Sequence, residues 1–178
     1  RDTEIKNNFK KNNINVKTFN GLLINEPWTI KNKSNSFFKV FTPFWKTCIE
    51  ETGSIKLFNP PKDIKTLYIK SSLSIPIEDL KLFNKNATWI NKLAANWNPG
   101  ENEALIKFKE FKNTIIENYD EGRDRPDKNY TSKLSPYLHF GEISPNRIFL
   151  EITKKKMINN SSKKKFLSEI GWREFSYN

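Results

Sequence analysis

The chain has 178 residues, of which 36% are hydrophobic and 13% aromatic, and it carries a net charge of +11. This length suits one domain or parts of two, and 14 Phe, 5 Trp and 5 Tyr supply enough apolar area for a core, so the composition excludes a disordered chain. The positive charge favours a polyanionic partner, although solvated lysines from a basic composition bias would give the same charge.

Cys48 is the single cysteine, so a disulfide within the chain is excluded, and we expect a reducing compartment, the cytoplasm. No apolar run reaches the ~18 residues of a membrane-spanning helix, so no membrane partner is expected. With one cysteine and one histidine, His139, we expect no metal site. Because the chain starts at Arg1 without Met and stops at Asn178 inside a predicted helix, we interpret it as a fragment.

The predicted elements begin with a surface helix over residues 1–13, which places Ile5 and Phe9 on one face. Two short strands are predicted at Asn15–Phe19 and Leu22–Ile24, and Pro27 ends this pattern. Residues 1–30 therefore resemble the end of an α/β unit.

Residues 31–79 are predicted to be a linker that contains one helix. That helix starts in the stretch Val40–Lys46, with Pro43 tolerated in its first turn. Between Thr52 and Asp79 prolines recur without periodicity, which indicates an extended connector.

Residues 80–178 are predicted to be helical, so the fold class is mainly α-helical. Apolar residues recur at steps of three and four in a first helical region: Ala104, Leu105, Phe108, Phe111, Ile115, Ile116 and Tyr119. Further helices are predicted near Ser135, from Pro145 to Met157 and, after a turn at Asn159–Ser162, through the last residues of the chain.

The stretch from Thr131 to Pro145 is the most informative part of the sequence. Hydroxyls, a lysine and free N–H groups at a helix start suit an anion such as a diphosphate, and ordinary helix capping explains the same residues. His139 within it is interpreted as a packed structural histidine. The lysine runs 154–156 and 163–165 either approach phosphates or are solvated helix ends.

Glu169, Trp172 and Arg173 are neighbours on the last helix, at spacings i, i+3 and i+4. A carboxylate, an indole and a guanidinium together are able to recognise a flipped base. The alternative is a Glu169–Arg173 ion pair beside a core tryptophan. For Arg123, the alternative to a nucleic-acid contact is a solvated charge paired with a nearby aspartate: Asp120, Asp124 or Asp127.

Four strings in order resemble the DNA photolyase/cryptochrome family, most of all the cyclobutane pyrimidine dimer photolyases. They are Val40–Trp45, Trp97–Glu101, Arg123–Pro126 with Thr131–Pro145, and Phe166–Phe175. The resemblance covers nearly the whole chain. It implies that residues 1–30 end an α/β antenna domain, that 31–79 form the linker and first helix, and that 80–178 begin an all-α FAD- and DNA-binding domain that is incomplete here.

The resemblance also implies roles for individual residues. Lys133 stands where the family usually has arginine, and Phe166 where some members have tryptophan. Residues expected to contact FAD are Tyr119, Thr131, Ser132, Lys133, Leu134, Ser135, Phe166, Glu169 and Arg173. Residues expected to contact DNA are Arg123, Glu169, Trp172 and Arg173, with Glu169 and Trp172 lining the lesion pocket as the catalytic pair.

The implied activity is that of a deoxyribodipyrimidine photo-lyase, a carbon–carbon lyase. Such an enzyme repairs cyclobutane pyrimidine dimers in UV-damaged DNA by light-dependent electron transfer from reduced FAD. We expect a monomer, and a second antenna chromophore of folate or deazaflavin type whose site lies outside this chain. The chain alone is expected to bind FAD poorly and to repair nothing. Two alternatives stay open: a cryptochrome-type blue-light photoreceptor, and a basic helical DNA-binding module without flavin.

Overall fold

The computed structural model describes residues 1–53, 55–66, 74–82, 87–154 and 161–178, and this part of the chain is mainly helical, as predicted. Its α-helices are α1 (Asp2–Lys11), α2 (Phe41–Glu51), α3 (Thr88–Ala94), α4 (Glu101–Glu110), α5 (Tyr119–Gly122), α6 (Ser135–His139), α7 (Pro145–Thr153) and α8 (Ser161–Phe175). A π turn at Phe111–Ile115 and a 3-10 turn at Ile116–Asn118 join α4 to α5, so 101–122 is one continuous helical stretch. Short 3-10 helices lie at Pro27–Thr29 and Ile77–Leu80.

The two strands predicted at Asn15–Phe19 and Leu22–Ile24 are wrong, because within the described ranges no residue lies in a β-strand. Isolated strands leave their backbone groups unpaired, and the described part of the chain contains no neighbouring strand to pair them. The first segment exposes its apolar residue Phe19, whereas Leu23 and Ile24 of the second are buried. The second segment is therefore held by side-chain burial and by hydrogen bonds to side chains of α8.

The core forms where the 101–122 stretch packs against α6, α7 and α8. The predicted apolar stripe is confirmed, since Ala104, Phe108, Phe111, Ile116 and Tyr119 are all buried. They meet residues from the other three helices: Tyr137, Leu138, Ile148, Ile152, Phe166, Leu167 and Ile170. Each large apolar side chain removed from water contributes roughly 1.5–3 kcal/mol, so this cluster dominates the stability of the described fold.

Helix α7 begins where its sequence predicts, at the serine–proline pair Ser144–Pro145. The Ser144 hydroxyl accepts the backbone N–H of Arg147 at 3.2 Å, which satisfies one of the free donors of the first turn. Pro145 occupies the first helical position, where a missing N–H does no harm. The helix buries Ile148 and Ile152 against the core.

Helix α2 packs against the C-terminal half of α8. Phe44 and Cys48 of α2 are buried with Ile30, and Phe44 contacts the ring of Phe175 at a centroid distance of 5.2 Å. Trp45 lies directly over Gly171 of α8, where an added Cβ would come within 2.6 Å of the indole. Only glycine therefore lets α2 approach α8 this closely.

The last turn of α8 binds the segment that precedes α2. Glu174 accepts the backbone N–H of Ile24 at 2.7 Å, and Arg173 donates to the carbonyl of Leu22 at 2.8 Å. The amide of Asn178 donates to the carbonyl of Ile30 at 3.2 Å and accepts the N–H of Phe38 at 3.0 Å. Side chains from one helix end thus satisfy backbone groups that have no secondary-structure partner.

Some predicted features lie outside the described residues: residues 54 and 67–73 of the connector, the helix end at Met157, Asn159 and Asn160 of the turn, and Lys155 and Lys156. Within the described ranges, the helices are too short or too polar to cross a bilayer.

Candidate functional site

A cavity of about 480 Å³ lies between α5, α6 and the inner face of α8. It is lined by Tyr119, Ser132, Ser135, Leu138, His139, Phe166, Glu169, Ile170, Arg173, Ser176 and Tyr177. Its volume falls in the range of small-molecule sites, roughly 300–1,000 Å³. A few apolar side chains, several hydroxyls, one carboxylate and one guanidinium line it, which suits a ligand that carries both apolar and polar groups.

Helix α8 supplies the longest wall of the cavity. Phe166, Glu169 and Arg173 follow one another at steps of three and four, so all point to the same side of the helix. This face was predicted from the sequence to meet a ligand, and the structure brings all three side chains into one cavity. Their roles toward a ligand stay predictions.

Glu169 forms an ion pair with Arg123 of the loop after α5. Arg123 also approaches Asp124 at 3.5 Å, and its guanidinium lies 5.7 Å from the ring centre of Tyr119. The hydrogen bond to Glu169 raises the pKa of Arg123 above its already high ordinary value. The cation and the carboxylate therefore pair at the edge of the cavity, each about one-quarter to one-third exposed.

Arg173 does not pair with Glu169, so the predicted alternative of a Glu169–Arg173 ion pair is wrong. Its guanidinium donates instead to two backbone carbonyls, those of Leu22 at 2.8 Å and Leu138 at 3.3 Å. It also approaches the carboxylate of Glu174 at 3.4 Å. Arg173 therefore reaches the cavity with its position fixed from three sides.

Tyr119 and Phe166 form an aromatic wall that belongs to both the cavity and the core. Tyr119 lies edge-on to Phe166 at 5.3 Å and to Phe111 at 5.6 Å. Burial raises the pKa of Tyr119, which keeps its phenol protonated at neutral pH. The two interpretations of Tyr119, core aromatic and ligand contact, are thus compatible with one position.

The structure divides the predicted anion-binding stretch between two surfaces. Ser132 and Ser135 line the cavity, and Ser132 also borders a second surface near the C-terminal end of α4, where Thr131 and Lys133 lie. Lys133 has a left-handed backbone (φ 54°) and an exposed side chain, and Leu134 is buried in the core.

Trp172 lies outside the cavity, on the α2 side of α8. Its ring stacks on Phe41 with 3.9 Å between centroids and 10° between planes, and 48% of the residue is exposed. The predicted alternative of a core tryptophan is therefore wrong. Trp172 follows Glu169 by three positions on α8 but is not among the residues that line the cavity described above.

Four further cavity residues could have been found by spacing. Ile170, Ser176 and Tyr177 continue the face of α8 that Phe166 begins, and His139 follows Ser135 by four positions on α6. His139 is exposed, with its ring edge-on to Phe140, so its interpretation as a packed structural histidine is wrong.

The three lysines of the run 163–165 differ in their exposure to solvent. Lys163 is buried and forms an ion pair with Glu117 at 2.7 Å, which excludes it from a phosphate-binding surface. Lys164 and Lys165 are exposed.

Comparison with known proteins gives a consistent result. The DNA photolyase family model matches residues 1–62. Across 99% of its length the chain is 33% identical to a deoxyribodipyrimidine photo-lyase of Agrobacterium fabrum, of which it covers 37%. Across 84% of its length it is 32% identical to cryptochrome-2 of Arabidopsis thaliana, of which it covers 25%.

The helical fold and its cavity, together with these similarities, define a member of the DNA photolyase/cryptochrome family, and the chain belongs to it. More particularly, it superposes on a crystal structure of a bacterial class III photolyase from Agrobacterium tumefaciens with a TM-score of 0.85 at 33% identity. That match covers 99% of this chain and 36% of the other. The chain thus spans little more than a third of the photolyases that it resembles.

Proposed function

We propose that this chain forms part of the flavin and DNA site of a photolyase that repairs cyclobutane pyrimidine dimers. The observation that carries the proposal is the cavity itself. It brings together six residues expected to contact FAD, which come from three separate segments: Tyr119, Ser132, Ser135, Phe166, Glu169 and Arg173.

The residues present fit part of FAD. Ser132 and Ser135 offer hydroxyl donors, and Arg173 offers a fixed positive charge, which suit ribose and phosphate oxygens. Phe166 and Tyr119, which are almost fully buried, form the aromatic backing of the cavity on its core side. Thr131 and Lys133 lie away from this cavity, so we assign the phosphate contacts to the two serines and Arg173.

When bound, reduced FAD supplies the electron that splits the cyclobutane ring. The chain's own residues would orient the bound groups and exclude water from the cavity. Buried Phe166 and Tyr119 shield the cavity from the core side, and Arg123 balances the charge of Glu169 beside the place where a dimer would sit. A carboxylate with its own cation nearby repels an electron-rich lesion less than a lone carboxylate does.

Trp172 with Phe41 offers a stacked aromatic surface next to the Glu169 face of α8. We assign this surface to the flipped-out pyrimidine dimer, because bases stack on exposed aromatic rings with little sequence preference. The net charge of +11 supports the approach of a polyanion to this chain.

The test uses the protein as its gene encodes it. Its absorbance spectrum reports bound flavin, and its activity on thymine-dimer oligonucleotides is measured under blue light. Glu169→Ala is expected to lower the repair yield, and the exposed-carboxylate variant Glu50→Ala is expected to keep it. A flavin-bound protein that repairs nothing favours the cryptochrome-type photoreceptor, an alternative that the identity with cryptochrome-2 supports. A colourless protein that binds DNA favours the basic helical module without flavin.

A further inference from the structure

We propose that Glu174 positions Arg173, the cavity arginine, and that it does so through its carboxylate and the backbone segment 22–25. This inference rests on the proposed function insofar as the cavity is a flavin site. Glu174 lies beside Arg173 on α8 and points away from the cavity. Only 3% of it is exposed, so its carboxylate is one of the most deeply buried charged groups in the described part of the chain.

The two carboxylate oxygens of Glu174 have different partners. Oε2 accepts the backbone N–H of Ile24 at 2.7 Å and that of Asn25 at 3.4 Å. Oε1 faces Nη1 of Arg173 at 3.4 Å. One oxygen thus fixes the 22–25 segment and the other fixes the guanidinium.

The 22–25 segment completes the arrangement. Its Leu22 carbonyl accepts Nη1 of Arg173 at 2.8 Å, so the same nitrogen is held by Glu174 and by the segment that Glu174 holds. The other nitrogen, Nη2, donates to the carbonyl of Leu138 in the wall of the cavity at 3.3 Å. Displacing Glu174 would therefore remove a hydrogen-bond partner from the segment and from the guanidinium at the same time.

Protonation of Glu174 changes this arrangement. The carboxylate accepts from Arg173, whereas the protonated group does not. Because two N–H donors occupy Oε2, an added proton goes to Oε1 and faces the guanidinium, donor against donor. The titratable and charged groups that face Glu174 are Arg173 from its own helix and the buried thiol of Cys48 from α2. Burial raises the pKa of Glu174 to about 7, and the two backbone N–H groups and Arg173 oppose this rise. Glu174 therefore gains or loses its proton in the neutral pH range.

Glu174→Gln is the sharpest variant. A glutamine has one acceptor oxygen, so it is able to serve the N–H groups of Ile24 and Asn25 or the guanidinium of Arg173, but not both. Glu50→Gln on the exposed face of α2 is the matched control, since it removes a carboxylate of the same kind that is open to solvent.

The experiment follows the side-chain NMR signal of Arg173 from pH 5.5 to 8.5 in ¹⁵N-arginine-labelled protein of natural length. The signal is assigned by its loss in Arg173→Lys. We expect it to shift with a midpoint near 7, to lose this transition in Glu174→Gln and to keep it in Glu50→Gln. Because His139 is a titratable group that lines the cavity, His139→Gln must also retain the midpoint.

A parallel titration with FAD separates the two proposals. In the wild type we expect FAD affinity to rise about tenfold as the pH increases through the same midpoint. In Glu174→Gln we expect FAD affinity not to change with pH. An Arg173 signal that does not respond to pH in the wild type overturns the positioning role, even where Glu174→Gln fails to fold. An Arg173 signal that titrates in a protein without FAD affinity keeps the positioning role and overturns the flavin proposal.

Discussion

Arg123 reaches back from the loop after α5 to form an ion pair with Glu169 in the middle of α8. The family resemblance predicted separate tasks for these two residues, a DNA contact and a lesion contact. Their pairing means that neither group is free to act without the other. A change at Arg123 therefore alters the charge and the orientation of the carboxylate at the cavity edge.

The coupling of this pair is measurable by a double-mutant cycle with Arg123→Gln and Glu169→Gln. We expect a coupling free energy of unfolding of about 1–2 kcal/mol, because both groups are partly shielded and their hydrogen bond is charge-assisted. Chemical denaturation of the four proteins provides the measurement. Arg125→Gln, which breaks the exposed pair with Asp127, is the control and is expected to leave the unfolding free energy unchanged. Additive effects of the two substitutions would refute the coupling.

Trp172 should contribute more to binding than to folding. Trp172→Ala removes the stack on Phe41, which we expect to lower stability by roughly 0.5–1.5 kcal/mol, and it removes the exposed surface offered to the lesion. We expect dimer-containing DNA to bind about tenfold more weakly, and undamaged DNA to bind as before. Trp172→Phe keeps a stacking ring and should recover most of the affinity. Equal losses for both DNAs would contradict the lesion-stacking role.

Gly171→Ala should destabilise the α2–α8 contact, since its Cβ would lie 2.6 Å from the ring of Trp45. Overpacking of this kind costs about 1–3 kcal/mol, measured as a lower midpoint in denaturant. Gly21→Ala is the control, because a Cβ there meets no atom within 4 Å. Combining Gly171→Ala with the smaller Trp45→Leu should restore part of the loss, and an absence of any rescue would argue against the steric explanation.

Glu174 also predicts how stability depends on pH. Its pKa rises on folding from the ordinary 4.5 to about 7, so the folded state binds the proton more tightly than the unfolded state does. The stabilisation is full below pH 4.5 and is lost as pH rises through 7. This difference in pKa corresponds to about 3 kcal/mol. Denaturation curves from pH 4 to 8.5 should show this loss relative to Glu174→Gln, and Glu50→Gln should follow the wild type. A difference between wild type and Glu174→Gln that stays constant with pH would contradict the shifted pKa.

The helices were predictable because their patterns are local. The stripe from Ala104 to Tyr119 follows one helical face, and Ser144–Pro145 marks a helix start by its own chemistry. On α8 the nearness of Glu169 and Arg173 likewise follows from spacing, whereas Phe166 was predicted from the family resemblance. These features depend on neighbours within a few residues, which the sequence displays directly.

The remaining features depend on contacts between distant segments. The strand pattern at Leu22–Ile24 reports burial, but the residues that bury it belong to α8, and no strand in the described residues pairs with it. The choice of Arg123 over Arg173 as the partner of Glu169 depends on how the loop after α5 folds back. The position of Lys133 outside the cavity that Ser135 lines accompanies its left-handed backbone. Periodicity does not encode any of these three.

The contact between Trp45 and Gly171 has a consequence for sequence divergence and for chimeras. A tryptophan over a glycine is a matched pair, so substitutions at positions 45 and 171 should arise together in related chains. Transplanting the part before residue 52 from another family member would bring in a foreign surface for α8. Such a hybrid should fold well only where the residue at position 45 from one protein fits the residue at position 171 from the other.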